Sequence, residues 1–307
     1  MSTTALPTFR QLRHLVALHE AGHFGRAAEA CFVTQSTLSA SIKELEDLLG
    51  VALVDRSTRK VVFTPLGSRV VEKARELVAG AEELAASVRA QAEPLAGPLK
   101  LGVIPTIGPF LLPGVLPGLR RRYPRLQLYL REDLSARLCE MLGRGELDAV
   151  LIALPYDCGD VETASVLTDP FELACRSDHP LAKRRRIAPD DIESQQLLLL
   201  AEGHCLREHA LAACSLRGRA AGAPFEATSL HTIVQMVDNG LGVTLLPRIA
   251  IAAGITRGSS LVTRPFGPRT QARDIGLAWR RGTRRRPEFE LLARELAELA
   301  HPQPARG

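Results

Sequence analysis

The chain has 307 residues, of which 46% are hydrophobic, and it carries a net charge of +5. This length is enough for two or three domains with their own cores. The first residues lack an apolar stretch of signal-peptide length, and no run approaches a membrane span, so we expect a soluble cytoplasmic protein without a membrane partner. In that compartment the six cysteines are not expected to form a structural disulfide framework, and a bonded pair would indicate redox or metal chemistry.

Three helical patterns open the chain. Residues 9–20 repeat apolar side chains at helical spacing up to Gly22, and GRAAEACF starts a second, short helix. The stretch VTQSTLSASIKELEDLLG predicts a third helix, capped by Thr34 and ended by Gly50. Two short helices around a tight turn are typical of a helix-turn-helix, although a helical hairpin that binds protein has the same pattern.

The third helix and the segment after it carry the residues expected to contact DNA. VALVDRSTRKVVF predicts two short strands around a basic turn, which would form a wing beside the DNA backbone. The predicted DNA-binding residues are Gln35, Ser36, Thr37, Ser39 and Lys43 on the helix, and Arg56, Arg59 and Lys60 in the wing.

A long helix is predicted to follow the wing. It begins at Thr64-Pro65, and its apolar residues have heptad spacing over roughly 40 Å. The stripe consists of Val70, Ala74, Leu77, Ala81, Leu84 and Val88. It predicts a dimer seam, since a helix-turn-helix usually reads paired half-sites; packing on the chain's own regulatory domain is the alternative. PLAGPL (94–99) indicates a hinge.

From Leu99 onward, short apolar runs alternate with helical patterns. This alternation predicts an α/β sheet with mostly parallel strands. Ligand clefts in such sheets open at the carboxyl ends of the strands, which places Pro105-Thr106 at the mouth of a site.

The stretch GHCLREHALAAC holds two cysteines nine residues apart, Cys205 and Cys214. In a continuous helix they would be separated by about 13.5 Å of rise and lie on opposite faces, so a disulfide would require the segment to unwind. A helix N-terminus, with His204 and Arg207 nearby, favours a thiolate at Cys205 that could attack peroxide; Cys214 could then resolve the sulfenic acid.

Other interpretations of this stretch remain open on the residues alone. The two cysteines could be unrelated thiols, or a zinc site could form from His204, Cys205, His209 and Cys214, although the spacing fits no common zinc module. A cysteine–histidine nucleophile for acyl transfer is a further option. Cys139, Cys158 and Cys175 show no comparable setting, and we interpret them as buried or incidental thiols.

Taken together, these motifs resemble a LysR-type transcriptional regulator over nearly the whole chain. The block from Phe9 to Gly67 is similar to the family's winged helix-turn-helix, with Ser36 where the family usually has proline. The later alternation resembles its two-lobed effector domain, which is similar to periplasmic binding proteins. Within the family, LGVIPTIGPFLLP, GHCLREHALAAC and ATSLHTIVQMVDNGLGVTLLP resemble the peroxide-sensing members.

The resemblance implies roles for individual residues. Cys205 would be the peroxidatic cysteine and Cys214 the resolving one. Peroxide would be bound and polarised by Thr106, Ser135, His204, Arg207, Glu208 and Arg273; at Ser135 and Glu208 the family more often has threonine and aspartate.

The resulting expectation is a multidomain, redox-regulated transcription factor rather than an enzyme, without a cofactor or a metal. We expect a DNA-binding domain over 1–64, a dimerisation helix over 65–93, and an effector domain over 94–307 with lobe I at about 99–170 and 271–307 and lobe II at about 171–270. The expected partners are double-stranded promoter DNA, hydrogen peroxide, further copies of the chain in a homodimer or homotetramer, a resetting thiol reductant and RNA polymerase. The alternative is a regulator that binds a small organic ligand between the lobes, with incidental cysteines.

Overall fold

A computed structural model describes residues 6–55, 61–193, 195–213, 226–265 and 272–300. They form two compact units, the first made mostly of residues 1–88 and the second mostly of residues 89–307. Every helix in these ranges is too short or too polar to span a membrane.

The first unit is built on three helices, α1 (Phe9–Ala21), α2 (Phe24–Ala30) and α3 (Gln35–Leu49). The predicted cap of α3 is present, since the Thr34 hydroxyl accepts a hydrogen bond from the third backbone N–H of the helix, and Gly50 ends the helix at a φ of +70°. Leu15, Leu38 and Ile42 are fully buried between the helices. Strands β1 (Val54–Asp55) and β2 (Val62–Phe63) pair antiparallel as the base of the wing.

Helix α4 (Pro65–Ala92) follows the wing, as the sequence predicted. Ala74 of its stripe is buried in the core of the first unit. Further along, Leu77, Leu84 and Val88 are 60%, 55% and 65% exposed in the single chain. The stripe therefore leaves a row of large apolar side chains on the surface, as a dimer seam requires; that seam stays a prediction.

The second unit contains one large sheet with the strand order β10–β6–β11–β5–β3–β4, in which β9 also pairs with β6. Its strands are β3 (Gly97–Val103), β4 (Leu126–Glu132), β5 (Ala149–Leu154), β6 (Val161–Arg176), β9 (Thr244–Pro247), β10 (Leu261–Pro265) and β11 (Ala272–Arg280). The short strands β7 (Leu199–Leu200) and β8 (Glu226–Ala227) pair with each other.

The expectation of mostly parallel strands is wrong. Strand β3 is parallel to β4 and β5, but β11 is antiparallel to β5 and β6, and β6 is antiparallel to β9 and β10. The reason is the path of the chain. It leaves the first lobe along the 16-residue strand β6 and returns along β11, which therefore runs in the opposite direction between β5 and β6.

Two hydrophobic cores confirm the two-lobed architecture, while the lobe bounds stay a prediction. The first core is built mainly from residues before 168 and after 274, and the second from residues between 171 and 255. The helices around them are α5 (Gly108–Arg122), α6 (Ser135–Gly143), α7 (Asp190–Glu193), α8 (Cys205–Ala213), α9 (Leu230–Asp238), α10 (Arg248–Ala252) and α11 (Arg286–Ala300).

Candidate functional site

The site lies at the edge of the sheet where three parallel strands end. The loop after β3 carries Thr106, the turn after β4 leads into Ser135, and the segment after β5 carries Tyr156. Because β3, β4 and β5 are neighbours in the sheet and run in the same direction, their carboxyl ends bring these three segments to one edge. Thr106 thus lies at the carboxyl end of a strand, at the edge of the sheet, as the sequence predicts.

Arg273 on β11 ties this edge together. Its guanidinium donates to Thr106 Oγ1 and to the Thr106 carbonyl oxygen, both at 2.9 Å. It also forms an ion pair with Asp169 on β6, with two contacts of 3.0 Å and no exposure of either side chain. Burial is the largest influence on Asp169 and raises the pKa of its carboxyl, while the Arg273 charge acts against that rise.

This contact decides what the Thr106 hydroxyl can do. Its oxygen already accepts from Arg273, and a hydroxyl carries only one proton of its own. Thr106, which is buried, therefore keeps its own proton to donate to another group at the edge of the sheet.

Ser135 supplies a second hydroxyl. It is the first residue of α6 and only 1% exposed, and its Oγ has no hydrogen-bond partner among the described residues. A buried hydroxyl without a partner costs about 1–3 kcal/mol. Such a group is well placed to bind a small polar molecule.

Cys205 is the first residue of α8, and its thiol is free and only 7% exposed. Gly203, two residues before it, has a φ of +90°, where any side chain would be strained, and a Cβ there would lie 3.3 Å from Cδ1 of Leu134, the residue before α6. Tyr156 packs against the same hydrophobic core that contains Cys205, and its burial there raises the pKa of its hydroxyl. Cys205 is therefore close to the segments that carry Ser135 and Tyr156.

The residues around Cys205 differ in their surroundings. His204 is buried, and burial lowers the pKa of its imidazole, which favours the neutral form of the ring at neutral pH. Arg207 is also buried and donates to the Leu200 carbonyl oxygen at 3.1 Å. Glu208 lies on the exposed face of α8, so the structure does not bring it into the buried cluster.

Helix α8 runs from Cys205 toward its predicted partner, Cys214, which lies outside the described residues. Because α8 is continuous from Cys205 to Ala213, the Cα atoms at its two ends are about 12 Å apart. This span is longer than the roughly 7 Å that a disulfide allows between Cα atoms.

The remaining predicted residues lie in the first unit. Gln35, Ser36, Thr37 and Lys43 are exposed on α3, and Ser39 is half-buried. The wing residues Arg56, Arg59 and Lys60 lie outside the described residues. Contact of these side chains with DNA stays a prediction. Across the described ranges no group of three or more metal-binding side chains is found.

Sequence reasoning missed three features of the site. Asp169 and Tyr156 belong to it through contacts that join distant parts of the chain, for which the sequence contains no local signal. The interpretation of Cys139 and Cys158 as incidental thiols is wrong, because they form a disulfide across 19 residues of sequence. That pairing depends on the packing of α6 against the segment after β5. Cys175 is a buried free thiol, as interpreted.

A winged helix-turn-helix head, a long helix and a two-lobed α/β domain with a buried polar site define a DNA-binding regulator with a sensing domain. Residues 9–68 match the model of the bacterial regulatory helix-turn-helix protein, lysR family, and residues 92–300 match the LysR substrate binding domain. The chain belongs to the LysR family of transcriptional regulators.

Curated relatives span almost the same length. The chain is 40% identical to the hydrogen peroxide-inducible genes activator of Dickeya chrysanthemi, with 94% of each chain covered. It is 40% identical to the DNA-binding transcriptional dual regulator OxyR of Escherichia coli, over 92% of this chain and 93% of the relative. It is also 42% identical to the HTH-type transcriptional regulator EstR of Acinetobacter baylyi, over 94% and 95%.

Solved structures are similar as well. A full-length cysteine-to-aspartate variant of OxyR from Pseudomonas aeruginosa has a TM-score of 0.79 and 38% identity, with 99% of each chain covered. A hydrogen-peroxide-bound OxyR mutant of Corynebacterium glutamicum has a TM-score of 0.67 and 35% identity, over 97% of this chain and 94% of that one.

The buried ion pair generates a stability prediction. Asp169→Asn leaves the Arg273 charge buried without its counterion, and we expect it to lower the free energy of unfolding by about 3–5 kcal/mol. The matched control is Asp274→Asn in the adjacent cross-strand pair, where Asp274 accepts an exposed hydrogen bond from Thr168 at 2.8 Å; it should cost less than about 1 kcal/mol. Equal denaturation midpoints for the two variants would contradict the role assigned to Asp169.

Proposed function

We propose that the protein is a transcription factor that senses hydrogen peroxide through a reversible Cys205–Cys214 disulfide and controls genes of the oxidative-stress response. The observation that carries this proposal is the free thiol of Cys205 at the start of α8. It lies close to the start of α6, where the buried Ser135 hydroxyl has no hydrogen-bond partner among the described residues. The names of the OxyR and peroxide-inducible relatives support it.

The chemistry begins at Cys205. A cysteine attacks peroxide as the thiolate. The thiolate sulfur attacks one peroxide oxygen, the O–O bond breaks, and the products are a sulfenic acid and hydroxide. The Cys214 thiol then attacks the sulfenic sulfur, which forms the disulfide and releases water. The 7% exposure of Cys205 admits a molecule as small as peroxide.

The buried donors orient the oxidant. Thr106, fixed by Arg273, and Ser135 can each donate to a peroxide oxygen, and so stabilise the charge that develops on the leaving oxygen. His204 and Arg207 adjoin the sulfur in sequence and are buried with it. Glu208 is exposed, and we propose that it contributes to peroxide binding only from the surface of α8.

The disulfide changes the fold because of where α8 lies. Cys205 is part of the first core, whereas Leu206, Ala210 and Leu211 of the same helix are part of the second. Unwinding α8 withdraws these side chains from the second core, and each fully buried leucine contributes about 1.5–3 kcal/mol. The second lobe must therefore repack when the disulfide forms.

This repacking is the signal to DNA. In a dimer or tetramer, a change in the shape of the sensing domains alters the spacing of the paired DNA-binding heads. The α3 helices of these heads would read double-stranded promoter DNA through Gln35, Ser36, Thr37, Ser39 and Lys43. Changed promoter contacts then act on RNA polymerase. A thiol reductant returns the disulfide to two thiols by exchange. One peroxide is consumed per oxidation, so the protein is proposed to be a sensor rather than an enzyme.

Substitution of Cys205 tests the proposal. Cys205→Ser should abolish both the Cys205–Cys214 crosslink and the transcriptional response to peroxide, because the attacking sulfur is absent. Crosslinks are measured by mass spectrometry after thiol labelling and the response by a promoter reporter. Cys175→Ser, which removes another buried free thiol, is the matched control and should retain both. A Cys205→Ser protein that still responds would refute the proposal.

Substitution of Ser135 distinguishes an effect on peroxide binding from an effect on the stability of the fold. Because its hydroxyl has no partner among the described residues, Ser135→Ala should leave the free energy of unfolding unchanged or higher. The same change removes a donor to peroxide and should slow Cys205 oxidation about tenfold, as the loss of about 1.4 kcal/mol of transition-state stabilisation does. Stopped-flow oxidation kinetics measure the rate. An unchanged rate would remove Ser135 from the peroxide site.

A further inference from the structure

A second pair of cysteines lies beside the same site. Cys139 on the second turn of α6 and Cys158 in the segment after β5 form a disulfide with Cα atoms 5.1 Å apart. We propose that these two residues form a second redox couple, whose disulfide speeds the reaction of Cys205 with peroxide by holding the Tyr156 segment in place. The proposal rests on the function proposed above for Cys205.

Both ends of this disulfide belong to elements that reach Cys205. Helix α6 begins at Ser135, and the residue before it, Leu134, is the one that Gly203 approaches. The other end is two residues from Tyr156, whose side chain packs against the hydrophobic core that contains Cys205. The disulfide therefore joins two of the segments that surround the reactive sulfur.

The disulfide restrains mainly one of these two segments. Helix α6 is held without it, because Leu138 and Leu142 are fully buried and Arg280 donates to the Leu142 carbonyl oxygen at 2.8 Å. The segment 155–160 is held at its far end by Arg281, whose backbone N–H donates to the Asp160 carbonyl oxygen at 3.2 Å and whose side chain pairs with Asp160, with both side chains mostly exposed. Exposed pairs of this kind contribute about 0–1 kcal/mol. Reduction of the disulfide should thus loosen the segment and Tyr156 with it.

The surroundings of the two sulfurs permit a redox cycle. Both cysteines are half-buried, whereas Cys175 is fully buried in the second core. From the dithiol, one thiolate attacks peroxide to give a sulfenic acid and hydroxide, and the other thiol displaces water to form the disulfide. A dithiol reductant reverses the step by exchange, becoming a disulfide itself. One equivalent of peroxide therefore forms the Cys139–Cys158 disulfide, and the site is then prepared for the reaction of Cys205 with another equivalent.

The first experiment tests whether the pair cycles. Full-length Cys205→Ser protein is reduced with dithiothreitol, exposed to peroxide and mapped by differential alkylation. The Cys139–Cys158 crosslink should be lost on reduction of the folded protein and return with peroxide, while Cys175 stays alkylatable only after unfolding. A crosslink that resists dithiothreitol until the protein unfolds, or that does not return, would overturn the redox role. Because Cys205 is absent, this result does not depend on the proposed function.

The second experiment tests the effect on Cys205. The rate of Cys205 oxidation is compared in Cys139→Ser, Cys158→Ser and Cys175→Ser proteins that have not been treated with reductant. Before each measurement, mass spectrometry verifies that Cys205 is a free thiol and that the Cys139–Cys158 disulfide is present in Cys175→Ser. The first two should react about tenfold more slowly than Cys175→Ser, the order of loss expected when a reacting group is less well positioned. Fully reduced wild-type protein should match the slow rate, which excludes misfolding of the variants as the cause.

The outcomes separate the two proposals. If all variants oxidise Cys205 at the wild-type rate, the Cys139–Cys158 couple has no influence on the site and this inference fails alone. If Cys205 does not react with peroxide in any form, including the wild type with its Cys139–Cys158 disulfide intact, the proposed function fails, and the influence on Cys205 fails with it.

Discussion

The length of one helix is the constraint on which the rest of this structure depends. Helix α8 is continuous from Cys205 to Ala213, and a rise of 1.5 Å per residue puts about 12 Å between its two ends, more than the roughly 7 Å between Cα atoms that a disulfide allows. The proposed Cys205–Cys214 disulfide therefore requires α8 to unwind. Since α8 contributes Leu206 and Leu211 to the second core and Cys205 to the first, the proposed disulfide would change the packing of a lobe.

The residues around Arg273 form a fixed frame beside α8. Arg273 is held by the Thr106 backbone and hydroxyl and by Asp169, all buried, so the edge of the sheet proposed to bind the oxidant would keep its geometry while α8 unwinds. The Arg273–Asp169 pair also joins β6 to β11, the two strands by which the chain leaves and re-enters the first lobe. In the proposed mechanism a fixed edge and a helix with two states meet at Cys205, and differential stabilisation of two states is what any switch requires.

Local signals made most of the fold predictable. The Thr34 cap, the αL residue Gly50 and the extent of α4 depend on neighbours within a few turns, and the structure confirms each of them. The expectation of mostly parallel strands is wrong because the chain returns from the second lobe along β11, antiparallel to β5 and β6, which no local pattern records. Asp169 and the Cys139–Cys158 disulfide were missed for the same reason, since each depends on a contact between elements far apart in sequence. The place of Cys205 at the start of a helix is a local property, and α8 begins there as the sequence predicts.

The most direct test of the account follows α8 itself through oxidation. Hydrogen exchange of the α8 backbone amides is measured by mass spectrometry in the reduced protein and after the Cys205–Cys214 crosslink has formed, with peroxide-treated Cys214→Ser as the control that oxidises without crosslinking. The account predicts that protection of residues 206–213 is lost in the crosslinked protein and retained in the control. A crosslinked protein in which α8 keeps its protection would contradict it.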